Sequence, residues 1–150
     1  MPTPNSLDHI AIQNTLARYC IALDDKDFAA LSDVFVADCD AHYPIPGGDL
    51  KGVTAVQNAI QARLKPVTSQ HALTTQTITI SEDGMTASAV TYFTGVHFGT
   101  GVKEGQSVTA YGKYLDELVR SETQSEQWRI KRRECKFMGR VGESGVMDPQ

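Results

Sequence analysis

The stretch Thr68–Val102, TSQHALTTQTITISEDGMTASAVTYFTGVHFGTGV, decides the fold. Two runs rich in β-branched and aromatic residues flank Asp83-Gly84, a turn pair suited to the twist of antiparallel strands. The stretch therefore reads as a long hairpin, Gln70–Ser81 against Met85–Val102. Within it, His71 and Leu73 share one parity while Ile78 and Ile80 share the other, so a strand with one buried face needs a β-bulge between them. Downstream, the turn Lys103-Glu104-Gly105 leads to a strand over Ser107–Arg120. The polar loop Ser121–Glu126 then leads to a last strand from Gln127 to about Phe137. These segments form a meander of four long strands.

Upstream, the periodicity changes from two to that of a helix. After Pro2 and Pro4, Asn5 or Ser6 can cap a helix in which Leu7, Ile10, Leu16, Ala17, Cys20, Ile21 and Leu23 recur near helical spacing. Asp24-Asp25-Lys26-Asp27 breaks that pattern, and a second short helix carries Phe28, Leu31, Val34 and Phe35 on one side. Cys39–Ile45 alternates, which turns Ala41, Tyr43 and Ile45 inward and Asp40 and His42 outward. Pro44, Pro46, Gly47 and Gly48 stop that strand. Gly52 introduces a third helix, Val53–Leu64, with Thr54 or a neighbour as its cap. Helices followed by a curved antiparallel sheet make an α+β fold, a cone-shaped barrel in which the sheet wraps one long helix and leaves an open cavity.

A chain of 150 residues suits one domain, with a core over about 5–138 and a tail, 139–150, that either folds over the mouth as a lid or is disordered. The formal charge of −4 offers no positive field for nucleic acid, and alternation splits the one basic cluster, Lys131-Arg132-Arg133, between two faces. No run approaches the roughly 20 apolar residues of a membrane span. Cys20, Cys39 and Cys135 are odd in number, lack CxxC spacing and follow no signal peptide, so they read as reduced core thiols of a cytoplasmic protein.

Asp24, Tyr43, His71 and His97 are far apart in sequence, yet this fold can bring them into one apolar pocket. Each also has a bland reading. An Asp at a helix junction is commonly an N-cap, a role Asp25 or Asp27 fills equally well; a His in a Thr-rich strand is commonly structural; a Tyr on an apolar face is commonly core. His9 and His42 read as surface residues.

Several segments together carry a resemblance: Leu23-Asp24-Asp25-Lys26-Asp27-Phe28-Ala29-Ala30-Leu31, Ser69-Gln70-His71-Ala72-Leu73, Val96-His97, Gly112-Lys113-Tyr114 and Trp128-Arg129-Ile130. In order and spacing they resemble the SnoaL-like branch of the nuclear-transport-factor-2-like superfamily, and within it scytalone dehydratase. The resemblance implies the α+β cone. It places the family's catalytic Asp on Asp24, its two catalytic His on His71 and His97, and one of two water-holding Tyr on Tyr43. The second Tyr falls on Leu23, and a Ser and an Asn of the fourth strand fall on Gly112 and Tyr114. Tyr19, one helical turn before Leu23, is a candidate for the missing phenol, and Tyr114 either supplies another or narrows the pocket.

These residue types suit proton transfer. A His held through one ring nitrogen by a carboxylate is fixed in tautomer and made more basic, so Asp24 with His71 is the expected dyad. Tyr43 would stabilise an enolate oxygen, directly or through water, and His97 would protonate a leaving hydroxyl; which His is base and which acid stays open. Alternation also points Asp116, Arg132, Glu134 and Trp128 toward the pocket side. Asp116–Arg132 is then an expected cross-strand pair, with Arg132 available to a substrate and Trp128 as core or pocket wall.

The expected activity is that of a cofactor-independent lyase, a dehydratase acting on a ketone or polyketide-like small molecule by enolisation and loss of water. An isomerase or cyclase using the same proton transfers is one alternative, and a non-catalytic ligand-binding cone is another. No metal is required. The superfamily's habit of pairing through the convex sheet face implies a homodimer or homotrimer.

Overall fold

The computed structural model describes residues 6–124 and 126–149. Helix α1 spans Ser6–Asp24 and is followed by a 3₁₀ helix, Phe28–Asp33, by strands β1 (Phe35–His42) and β2 (Asp49–Lys51), and by helix α2 (Val53–Leu64). Four long strands follow: β3 (Val67–Ile80), β4 (Thr86–Gly99), β5 (Ser107–Arg120) and β6 (Trp128–Gly142). They form one six-stranded mixed sheet in the order β2-β1-β6-β5-β4-β3, open at both edges. Only β1 and β6 run parallel. The helices lie on the concave face of this α+β cone, and the core fills the space between.

The residues of α1 that face the sheet differ from the expected set. Leu7, Ile10 and Ile21 are exposed, whereas Asp8, Ile12, Thr15, Leu16, Tyr19, Cys20 and Leu23 are buried. Polar groups on the buried face are satisfied locally. Thr15 donates to the Trp128 carbonyl at 2.8 Å, and Asp8 accepts from the Trp128 indole at 3.4 Å and pairs with Arg120 at 2.7 Å. Fully buried Ile12 and Leu16 each contribute on the order of 1.5–3 kcal/mol of apolar burial, which fixes the rotation of the helix.

Several expected boundaries move. The expected cap Asn5 lies outside the described residues. Gly52, at φ 84°, takes the N-cap position of α2 and makes no side-chain cap bond, so Thr54 is not its cap. The second helix is a short 3₁₀ turn because Phe35 already begins β1, and Asp27 caps it, accepting from Ala30 N. The register of β3 against β4 shifts between Leu73 and Gln76, the place where the parity change demanded a bulge. Two bulges in β6, at Met138 and at Lys131, were not foreseen. Glu117 pairs with Arg132 and Leu118 with Ile130, so Lys131 is an extra residue in β6. It turns Arg132 and Glu134 outward and Arg133 inward. Strand β6 also runs past Phe137, and the tail then packs: Val146 and Met147 are buried, and Lys103 Nζ donates to the carbonyls of Gly145 and Asp148 at 2.6 and 2.9 Å.

Candidate active site

Helix α1 ends in a Schellman motif. Asp27 N donates to the Ala22 carbonyl at 2.9 Å and Lys26 N to the Leu23 carbonyl at 3.1 Å, with Lys26 in the left-handed region at φ 56°. Lys26 Nζ then reaches the Leu64 carbonyl at the end of α2, at 3.1 Å. Asp24 is thus the last residue of a helix, where the macrodipole disfavours a carboxylate. Its partners lie on β3. Oδ1 accepts from Ser69 Oγ at 2.8 Å and from His71 Nδ1 at 2.7 Å, while Oδ2 accepts from His71 N at 2.8 Å. Burial pushes the Asp24 pKa up, but the bonds from the His71 ring and backbone and from Ser69 outweigh it and hold the carboxyl below the ordinary carboxylate range. The carboxylate therefore orients His71 with its proton on Nδ1, leaving Nε2 as the basic nitrogen.

His97 stands across from His71, ring centroids 5.5 Å apart and 85° between planes. Gly95 makes room for both: a Cβ there would meet His71 Nε2 at 3.2 Å and His97 Cε1 at 3.4 Å. His97 Nδ1 donates to the Val108 carbonyl at 3.3 Å. Burial, then the neighbouring His71, pushes its pKa down to about 4, against a small upward pull from the Val108 carbonyl. His97 is neutral at pH 7 and presents an acceptor.

His71 and His97 line an apolar cavity of about 690 Å³, open mouth included, between α1, α2 and the concave sheet. Tyr43 lies just past the end of β1, and its hydroxyl is 2.8 Å from that of Tyr19. Tyr19 therefore stands beside Tyr43, and Leu23 forms cavity wall. Burial raises both phenol pKa values, so both stay protonated donors, while the nearby Arg133 cation moderates the rise. Tyr114 stacks on Phe93 at 4.4 Å, and Phe93 lies over the bare backbone of Gly112, where a Cβ would come within 2.7 Å of its ring. An aromatic wall thus occupies the place that the resemblance gave to Ser and Asn.

Two sequence candidates lie elsewhere. Arg132 is exposed on the outer face because of the Lys131 bulge, and Arg133, one residue on, makes the expected ion pair with Asp116: Nε to Oδ1 at 2.7 Å and Nη2 to Oδ2 at 2.9 Å. The Arg133 guanidinium sits 3.9 Å from the Tyr114 ring centroid and 4.2 Å from that of Tyr19, in cation–π contact with both. Trp128 is buried under α1, outside the cavity lining. The sequence reading missed Arg63 of α2 and Arg140 of β6, which do line the cavity. Arg63 looks like a solvated residue in the last turn of a helix, and Arg140 lies in the segment expected to be a tail. Arg140 is the last residue of the cavity lining. Among the described residues no group of three or more His, Cys, Asp or Glu is arranged to hold a metal ion, and no helix is long and apolar enough to cross a membrane.

An open α+β cone whose apolar cavity holds an Asp–His dyad defines a class of small-molecule proteins. The chain belongs to the SnoaL-like domain family, whose profile matches residues 4–134. Among solved structures it is similar to a candidate scytalone dehydratase of Novosphingobium aromaticivorans, at 24% identity and TM-score 0.77, over 90% of this chain and 87% of that one. It is also similar to a candidate aromatic ring hydroxylase of the same organism, at 28% identity and TM-score 0.75, over 94% and 96%. A hexachlorocyclohexane dehydrochlorinase, LinA type 2, shares the fold at 16% identity and TM-score 0.76, over 97% and 98%. A comparison with curated protein sequences finds no match.

Proposed function

We propose that this protein is a cofactor-independent lyase, a dehydratase that enolises a ketone-bearing, polyketide-like small molecule and expels water. The observation that carries the reading is the Asp24–His71 pair at 2.7 Å, with the His71 ring in the wall of an apolar cavity. His71 Nε2 takes the proton next to the carbonyl, and the Asp24 carboxylate stabilises the imidazolium that forms. The Tyr43–Tyr19 hydroxyl pair donates to the enolate oxygen, where a dry site strengthens the bond. Collapse of the enolate breaks the C–O bond at the β-carbon, and His71 returns its proton to the departing hydroxide as water. Neutral His97 accepts the hydrogen bond of that hydroxyl and orients it. The similarity to a candidate scytalone dehydratase and to a dehydrochlorinase supports elimination chemistry.

An isomerase or cyclase uses the same first step, and the neutrality of His97, a poor acid at pH 7, favours it where no leaving group is present. The test is a panel of cyclic β-hydroxyketones incubated in D₂O with wild type, Asp24→Asn and His71→Ala. Loss of one water marks a dehydratase, and deuterium uptake without mass loss marks an isomerase. We expect both variants to lose at least a hundredfold in rate, within the range a positioned general base supplies. Turnover unchanged in both refutes the dyad, and ligand binding without turnover in any form marks a binding protein.

A further inference from the structure

We infer that the cavity takes an organic acid, a substrate with an apolar, ring-sized body and one carboxylate held by Arg63 and Arg140. The inference deepens the proposed function by naming the substrate class. It rests on that reading only in taking this cavity as the substrate site.

Elsewhere the chain partners its buried cations with acids: Arg133 binds Asp116 and Arg120 binds Asp8, each at 2.7 Å. The cavity arginines, half-buried Arg63 and exposed Arg140, have no such acid among the described residues. Both Arg63 and Arg140 line the space, yet among the described residues neither enters an ion pair, and the lining contains no Asp or Glu. The chain carries a formal charge of −4, so these two cations converge against its overall balance. Arg63 is half-buried, and burial followed by the charge of Arg140 lowers its pKa, a strain that an anion between them relieves. An arginine in the last helical turn also meets the negative end of the macrodipole, which by itself explains Arg63 in α2 but not Arg140 beside it.

Register gives the distance. His71 pairs with Gly95, Gly95 with Ala110, and Ala110 with Arg140, one row across four strands. Residues paired this way share a face, so the row reads large, small, small, large along the cavity floor. Three strand spacings separate the Cα atoms of His71 and Arg140 by about 14 Å along the sheet, and both side chains line the cavity. The two imidazoles occupy the space over Gly95, so a ring-sized body fits over Ala110, with the proton-transfer end at His71 and the acid end at the arginines. A guanidinium pair suits a planar carboxylate through paired N–H donors.

The test titrates two acid–amide pairs, 2-naphthoate with 2-naphthamide and benzoate with benzamide, by calorimetry at low salt. The proteins are wild type, Asp24→Asn, Arg140→Gln and the double variant Arg63→Gln/Arg140→Gln. We expect wild type and Asp24→Asn to bind at least one acid tenfold or more tightly than its amide. That preference should shrink to threefold or less in the double variant and to an intermediate value in Arg140→Gln, whose exposed side chain can be changed without threatening the fold. Arg140→Lys should keep more of the preference than Arg140→Gln. The inference is overturned if neither acid binds wild type better than its amide, or if Arg140→Gln keeps the full preference. Acid preference retained in a protein that turns over no ketone would instead sink the proposed reaction alone.

Discussion

Replacing His97 with Gln tests the electrostatics of the cavity directly. Burial and the neighbouring His71 hold the His97 pKa at about 4, against an ordinary 6.5. An unfolded chain takes up the proton near the higher value, the folded chain near the lower, so between them the unfolded state binds more protons. Stability from this residue is full above pH 6.5 and drains as pH falls toward 4. Between pH 7 and pH 5 the loss comes to about 2 kcal/mol, at 1.36 kcal/mol per pKa unit. Urea unfolding of wild type and His97→Gln at both pH values isolates it, because the variant differs from wild type at this one ring. Wild type should lose about 2 kcal/mol more than the variant. Equal losses, or an NMR titration of the His97 ring centred near 6.5, would refute the argument.

Removing Arg133 while keeping Asp116 leaves a buried carboxylate without its cation, so Arg133→Met should cost about 3–5 kcal/mol in urea unfolding, and Arg133→Met/Asp116→Leu should recover most of it. Gly112→Ala drives a methyl to within 2.4 Å of the Lys136 carbonyl and 2.7 Å of the Phe93 ring. It should destabilise by about 1–3 kcal/mol, read as a lower Tm by calorimetry. The convex face exposes Tyr92, Phe98, Tyr111 and Val141, which gives the expected homodimer or homotrimer an apolar surface; light scattering at micromolar concentration should return a multiple of the chain mass, and a monomer would remove that expectation.

Strand order and turn positions were legible because alternation and the Asp83-Gly84 pair are local signals, and the first bulge was legible because apolar residues sit on both sides of the parity change. The bulge at Lys131 was not. From Lys131 to Glu134 every side chain is charged, so nothing marks which parity is buried until Cys135, and the ion pair with Asp116 was assigned to Arg132 instead of Arg133. The buried face of α1 was obscured for a related reason: Asp8 and Thr15 occupy inward positions through specific partners, which hydrophobic periodicity cannot register. The Asp24–His71 contact joins a helix end to a strand 47 residues away, and residue types with a family resemblance suggested it before geometry did. Arg63 and Arg140 carried no signal at all, since an isolated arginine at an element's end is indistinguishable from a surface charge.

The stacking of Phe93 on Tyr114 over Gly112 bears on how such a protein diversifies. The Asp24–His71 pair is set by α1 and β3, whereas this aromatic wall is set by β4 and β5, and among the described residues no side-chain hydrogen bond joins the two. Exchanges at 93, 112 and 114 can reshape what the cavity admits while leaving the reactive pair untouched, so selection can retune recognition and reactivity separately.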